Sequence, residues 1–231
     1  MNIIDLQLFV NTVFYFGIVI CGFVISIPIG VTNINNGGQC LLYADFTYKN
    51  ASYGTINYSS KGNCNFPIYL GVFADIFFAL GVGIYSAYAV FKSSKDKTIA
   101  SQMWVMPFIL VDALVAAASF VASCMVSVGF NQVCNHLTKK YEPSGTRLFS
   151  SCVKVQNKNV INTTNGKVHN TGNFYAHYTV AQLAGWICFL LWAALVVSNI
   201  VRAVRNRKMR GAGTDATTSD KTNIGNVEPT A

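Results

Sequence analysis

Four long apolar runs set the terms for what this chain can fold into. They cover about residues 8–31, 66–91, 103–130 and 176–201, and the only Asp, Glu, Lys or Arg residues within them are Asp75 and Asp112. Each run exceeds the ~20 residues that a helix needs to cross ~30 Å of hydrocarbon. Backbone groups in hydrocarbon must bond within their own segment, so helices are the expected spanning form. Composition agrees: charged residues make up 11% of the chain, well under the share usual in a soluble domain. The expected fold class is therefore an all-α membrane protein, a four-helix transmembrane bundle. The first run follows Asp5 rather than a basic flank, is too long for a signal sequence, and has no small-x-small cleavage site. It is expected to stay as a helix.

Charge placement gives the threading. Lys92, Lys95 and Lys97 crowd the short link between the second and third runs, and Arg202, Arg205, Arg207, Lys208 and Arg210 follow the fourth. Basic residues beside spans mark the cytoplasmic side, so both termini are expected inside and the loops 32–65 and 131–175 outside. Six basic residues also lie in the second outer loop, but they are spread over a long segment, where charge counts for less. Three glycosylation acceptors, at Asn50, Asn57 and Asn162, fall in these same two loops. So do four of the seven cysteines, Cys40, Cys64, Cys134 and Cys152. In an oxidising compartment they suggest two disulfides. Three pairings are open; Cys40–Cys64 and Cys134–Cys152 are preferred because each closes locally. Cys21, Cys124 and Cys188 lie within spans and read as small apolar residues. The loops are expected to form disulfide-stapled caps, with β-hairpins suggested by Asn165-Gly166. The chain divides into a four-pass domain over 1–201 and a tail over 202–231, basic at first and then disordered, since it is polar and poor in apolar residues.

Several stretches carry a resemblance: GQCLLYADF in the first loop, SVGFNQVCNHL at 127–137, SSCVKV around Cys152, and FYAHYTVAQLAGWICFLLWAAL at 174–195. In this order and spacing the chain resembles the transmembrane protein 179 family of four-pass proteins. The resemblance implies four spans, inner termini and cysteine-bearing outer loops. It implies no activity and carries no functional residues. The W-GLW-C-C pattern of claudins is missing from the first loop and the CCG motif of tetraspanins from the second, so these groups fit less well.

The two intramembrane acids stand outside the resemblance. Counted from the ends of their runs, Asp75 and Asp112 each lie about 13 Å deep at ~1.5 Å per residue, at similar height near the midplane. Each sits on a stripe of small residues, Asp75-Ala79-Gly83-Ala87 and Asp112-Ala116-Ser119-Ser123-Ser127, which lets helices approach closely. Both should therefore face protein. No span core holds a Lys or Arg to pair with them. The less costly solution is a neutral acid sharing hydrogen bonds with Ser119, Ser123, Gln182 or the other Asp. They could serve as glue between helices, as a cation or proton site, or as contacts for another protein's helix.

The sequence offers no catalytic residues, no cofactor motif and no metal set; Cys134-x-His136 is too short and solitary for zinc. Nucleic-acid binding lacks a scaffold. The basic run from Arg202 to Arg210 suits lipid head groups as well as a stop-transfer anchor. Trp104, Trp186 and Trp192 need no special role, and Ala181 and Gly185 suit packing within the monomer. The expected function is non-enzymatic: a plasma-membrane glycoprotein, reached through the secretory pathway, that acts through partners. It would be an accessory subunit of a channel or receptor, or an adhesion or trafficking component, with a homo-oligomer as another partner state. The alternative is a small ion or proton pore using Asp75 and Asp112.

Overall fold

The structure, a computed structural model, describes residues 3–50, 53–93, 106–138, 149–162 and 166–223. Lys95, Lys97, Trp104 and Asn165 lie outside the described residues, as do the side chains of Asn50, Asn162, Lys208 and Arg210. Helix α1 (Ile3–Asn35) leads into strands β1 (Cys40–Asn50) and β2 (Tyr53–Ser59). The second span is built of α2 (Gly62–Leu70), a π-helical segment (Gly71–Phe78) and α3 (Ala79–Ser93). Then come α4 (Met106–Leu137), a 3-10 turn (Cys152–Val155), β3 (Asn159–Asn162), β4 (Val168–Asn170) and α5 (Phe174–Asn223). Four stretches are long and apolar enough to cross a membrane: Leu6–Asn35, Gly62–Lys92, Pro107–Leu137 and Phe174–Arg207. They outrun the apolar runs because the helices continue beyond hydrocarbon depth. As a result Cys134, expected in a loop, stands on the last turn of α4.

In α1, α4 and α5 the buried positions alternate in steps of three and four. Along α5 they are Phe174, Tyr178, Ala181, the pair Ala184 and Gly185, Cys188, Trp192, Leu195, Asn199 and Arg202. This 3.5-residue repeat is the seam of a left-handed bundle. Helix α1 packs on α5 and on the second span, α4 packs on α5, and α2 reaches α4. The opposite faces, with Phe9, Ile20, Phe73, Phe77 and Leu190, are exposed and apolar, as lipid-facing surfaces should be.

The second span breaks the repeat. From Pro67 to Gly83 its buried positions, Pro67, Gly71, Asp75, Ala79 and Gly83, are four apart, before the step returns to three at Ser86 and Ala89. On an α-helix a step of four overshoots a turn by ~40°, and the wider i→i+5 turn absorbs it. Close contact with α1 is made here. A Cβ on Gly22 would lie 2.8 Å from Ile76 and 2.9 Å from the Asp75 Cβ. Glycine lets the two backbones meet at this point.

A single four-stranded sheet caps one end. The two hairpins, β1–β2 and β3–β4, are each antiparallel and are joined by parallel pairing of Thr55 with Ile161 and Ile56 with Asn162. Hairpins were legible in the sequence; their union across 100 residues of chain was not. Disulfide Cys40–Cys64 ties β1 to α2, and Cys134–Cys152 ties α4 to the 3-10 turn, with Cα separations of 5.6 and 5.2 Å. Tyr58 on β2 donates to Asn36 Oδ1 at 3.2 Å, which fastens the sheet to the end of α1. Burial pushes the Tyr58 hydroxyl up to about 12, so it stays a donor at neutral pH. Tyr43, with φ of 61°, sits in a bulge of β1 and lays its ring against Gly129 of α4.

The last helix does not stop at Arg210. It runs to Asn223, through a stretch whose polar composition predicted disorder. Extension of an existing helix needs no new nucleus, and no Pro interrupts the chain until Pro229.

A Cβ on Gly129 would lie 2.7 Å from the Tyr43 ring, whereas one on Gly30 would meet nothing within 4 Å. Gly129→Val is therefore expected to cost about 1–3 kcal/mol through overpacking. Gly30→Ala should be tolerated. Thermal unfolding of both variants in detergent checks this.

Candidate functional site

Helix α5 supplies a donor to each intramembrane acid. Asp75, in the π-helical segment, is 2% exposed, and the indole Nε1 of Trp192 donates to its Oδ1 at 2.8 Å. Asp112, on α4, is fully buried at 0% exposure. Its Oδ2 accepts from the Tyr15 hydroxyl of α1 at 2.9 Å and from Asn199 Nδ2 of α5 at 2.9 Å. The network extends toward the tail end. Asn11 Nδ2 donates to Asn199 Oδ1 at 3.1 Å, the Ser198 hydroxyl donates to Asn11 Oδ1 at 2.6 Å, and Gln7 Nε2 donates to the Ser198 carbonyl at 2.6 Å. The rings of Tyr15 and Trp192 meet edge to face at 6.0 Å, so the two acid sites are joined by an aromatic contact.

Both acids face protein, but with other partners than expected. Ser123 turns back to the Ser119 carbonyl at 2.8 Å. Ser119 Oγ and Asp112 Oδ1 have no hydrogen-bond partner among the described residues. Ser119, Ser123 and Asp75 line a cavity of about 20 Å3, room for one water. The acids are also not level: Trp192 and Asn199 are seven residues apart on α5, which is ~10 Å. Depth counted from the ends of apolar runs misplaced them, because the helices extend past those ends unequally.

Arg202 needs a second correction. The basic run predicts a lipid head-group contact for Arg202 as for Arg205 and Arg207, yet Arg202 is 5% exposed. It holds the next seam position after Asn199 and turns into the bundle, while Arg205 and Arg207 are exposed. Trp192 needs a third, since it is fully buried and bonds Asp75. Tyr15, Asn11 and Asn199 went unnoticed in the sequence. The signal was there: amides inside apolar runs are rare for the same reason as acids.

Gln182 lies elsewhere, in a cleft of about 550 Å3 between α4 and α5 beneath the Cys134–Cys152 bridge. Ser127, Val128, Phe130, Asn131 and Tyr175 also line it. Trp186 Nε1 donates to Ser127 Oγ at 3.1 Å beside it. All of these residues come from the stretches that carried the family resemblance. His136 Nδ1 lies 3.3 Å from Asp45 Oδ1, a contact that links two of those stretches across the cap. Among the described residues no group of three His, Cys, Asp or Glu could hold a metal ion.

Residues 7–224 match the family described as the Transmembrane protein 179/179B Claudin domain. The chain belongs to this family. Transmembrane protein 179B of Danio rerio is 20% identical over 191 residues, covering 83% of this chain and 81% of the relative. No solved structure matches. The match bears out the resemblance to the transmembrane protein 179 family, and the family's description places that family within a claudin domain although the first loop lacks the W-GLW-C-C pattern.

Asp112→Leu strands two buried donors, Tyr15 and Asn199, and is expected to destabilise the bundle by about 1–3 kcal/mol. Asp112→Asn keeps an acceptor oxygen and should lose less. Trp192→Phe removes the donor to Asp75 and should cost about 1–2 kcal/mol. Unfolding of the three variants in mixed micelles ranks them.

Proposed function

We propose that this protein performs no chemistry of its own and acts through other membrane proteins, as an accessory subunit of a channel or receptor or as an adhesion or trafficking component. The observation that carries this reading is the inward engagement of both acids. Asp75 and Asp112 bond to Trp192, Tyr15 and Asn199 of the same chain, which leaves the sheet cap and the outer helix faces for a partner. In this reading the cap lies outside the cell and both termini inside, with the protein in the plasma membrane. The exposed Arg205 and Arg207 and the acceptor at Asn57, exposed on β2, fit that orientation. The basic run would then rest on anionic head groups.

The pore reading draws on one observation: Asp112 Oδ1 has no hydrogen-bond partner among the described residues. Against it stand the hydrogen bonds that engage Asp75 Oδ1 and Asp112 Oδ2 within the bundle.

Two outcomes are expected. Gentle-detergent purification from native membranes should recover a channel, receptor or adhesion protein in fixed ratio. Vesicles holding the pure chain should show no ion or proton flux above background; a flux abolished by Asp75→Asn would overturn the accessory reading. Separately, glycosidase treatment should sharpen the band on a gel, and Asn57→Gln should remove one step of that shift.

A further inference from the structure

The cleft between α4 and α5 plays no part in the acid network. Gln182 lies eight residues past Phe174, about 12 Å along the helix from its start. Val128, which lines the cleft from α4, is exposed and apolar, so the cleft opens on the outer surface of the bundle. A primary amide beside apolar helix faces is costly to leave unpaired, yet the half-buried side chain of Gln182 has no hydrogen-bond partner among the described residues, and the Asn131 amide stands exposed at the outer edge of the cleft. The lining combines these amides with Ser127 and Ser151, and with the rings of Phe130 and Tyr175, which meet at 5.4 Å. None of the described lining residues is charged, so the polar contacts they offer are amides and hydroxyls. The Cys134–Cys152 bridge forms one wall and fixes it. The volume falls within the range of ligand sites, about 300–1,000 Å3.

We propose that this cleft is a sterol site: a single hydroxyl, both donor and acceptor, meets the amides of Gln182 and Asn131, and a rigid ring system lies against Phe130, Tyr175 and Val128. The match is one of chemistry and position. An amide can both give to and take from one hydroxyl, and a flat, preorganised body loses little freedom on binding.

The test uses the full chain in phosphatidylcholine vesicles with a photoreactive, diazirine-bearing cholesterol. Mass spectrometry of the labelled protein should place adducts on residues 127–134 and 175–186. Excess cholesterol should suppress them, while phosphatidylglycerol and diacylglycerol should not. Gln182→Leu should weaken labelling about fivefold, the effect of one lost hydrogen bond, without lowering the unfolding midpoint. Val128→Trp, at a position 57% exposed, should block the cleft and remove the adducts while the fold stands. Adducts spread over the lipid face around Phe9, Ile20 and Phe73, or unchanged in both variants, would overturn the site. Equal competition by diacylglycerol or phosphatidylglycerol would overturn the sterol assignment.

Discussion

Hydrogen bonds from α5 to two buried carboxylates decide how the four helices sit. In hydrocarbon an apolar helix face gains little by leaving lipid for protein, so association falls to close packing and polar contacts. Asp112 gathers three helices at one oxygen: its own, α1 through Tyr15, and α5 through Asn199. Asp75 brings in the second span through Trp192. With both made, each helix has a fixed neighbour and a fixed rotation. Each such bond is worth roughly 0.6–2 kcal/mol in a membrane, but the alternative, a carboxyl turned toward lipid, costs more. That asymmetry gives the arrangement its specificity.

The π-helical segment follows from the same demand. The second span must present Gly71 to α1, Asp75 to Trp192 and Ala79 to the seam, at steps of four, while α1, α4 and α5 keep steps of three and four. A regular α-helix would rotate Asp75 away from the seam by the next turn. Local widening keeps these residues on one line, and Gly22 opposite lets the widened backbone fit. The small-residue stripe expected along this helix therefore holds for Asp75, Ala79 and Gly83, while Ala87 leaves the line and Ser86 and Ala89 take the buried places after Gly83.

The four spans, the two disulfides and the inward facing of the acids were legible because each follows from local arithmetic: run length, loop closure, the cost of a charge in lipid. The partners of the acids were not, because they depend on which helix lies beside which and at what height. Trp192 looked like one apolar residue among many, and only the rotation of α5 turns its Nε1 toward Asp75. Arg202 was misread for a similar reason. Its charge suggested an anchor, while its place in the 3.5-residue repeat, one step beyond Asn199, marks it as a seam residue. The union of the two hairpins also escaped, since two residues of parallel pairing leave no periodic trace.

The cap and the bundle are fastened so that neither is independent of the other. Cys64 joins β1 to the first turn of α2, the ring of Tyr43 seats on Gly129, and Asn36 at the end of α1 takes a hydrogen bond from Tyr58. A shift of α4 against α5 would therefore be felt at the Cys134–Cys152 bridge and at the Asp45–His136 pair above it. It would equally reshape the cleft those helices enclose. A ligand seated between α4 and α5 and a protein resting on the sheet would thus act on one connected body.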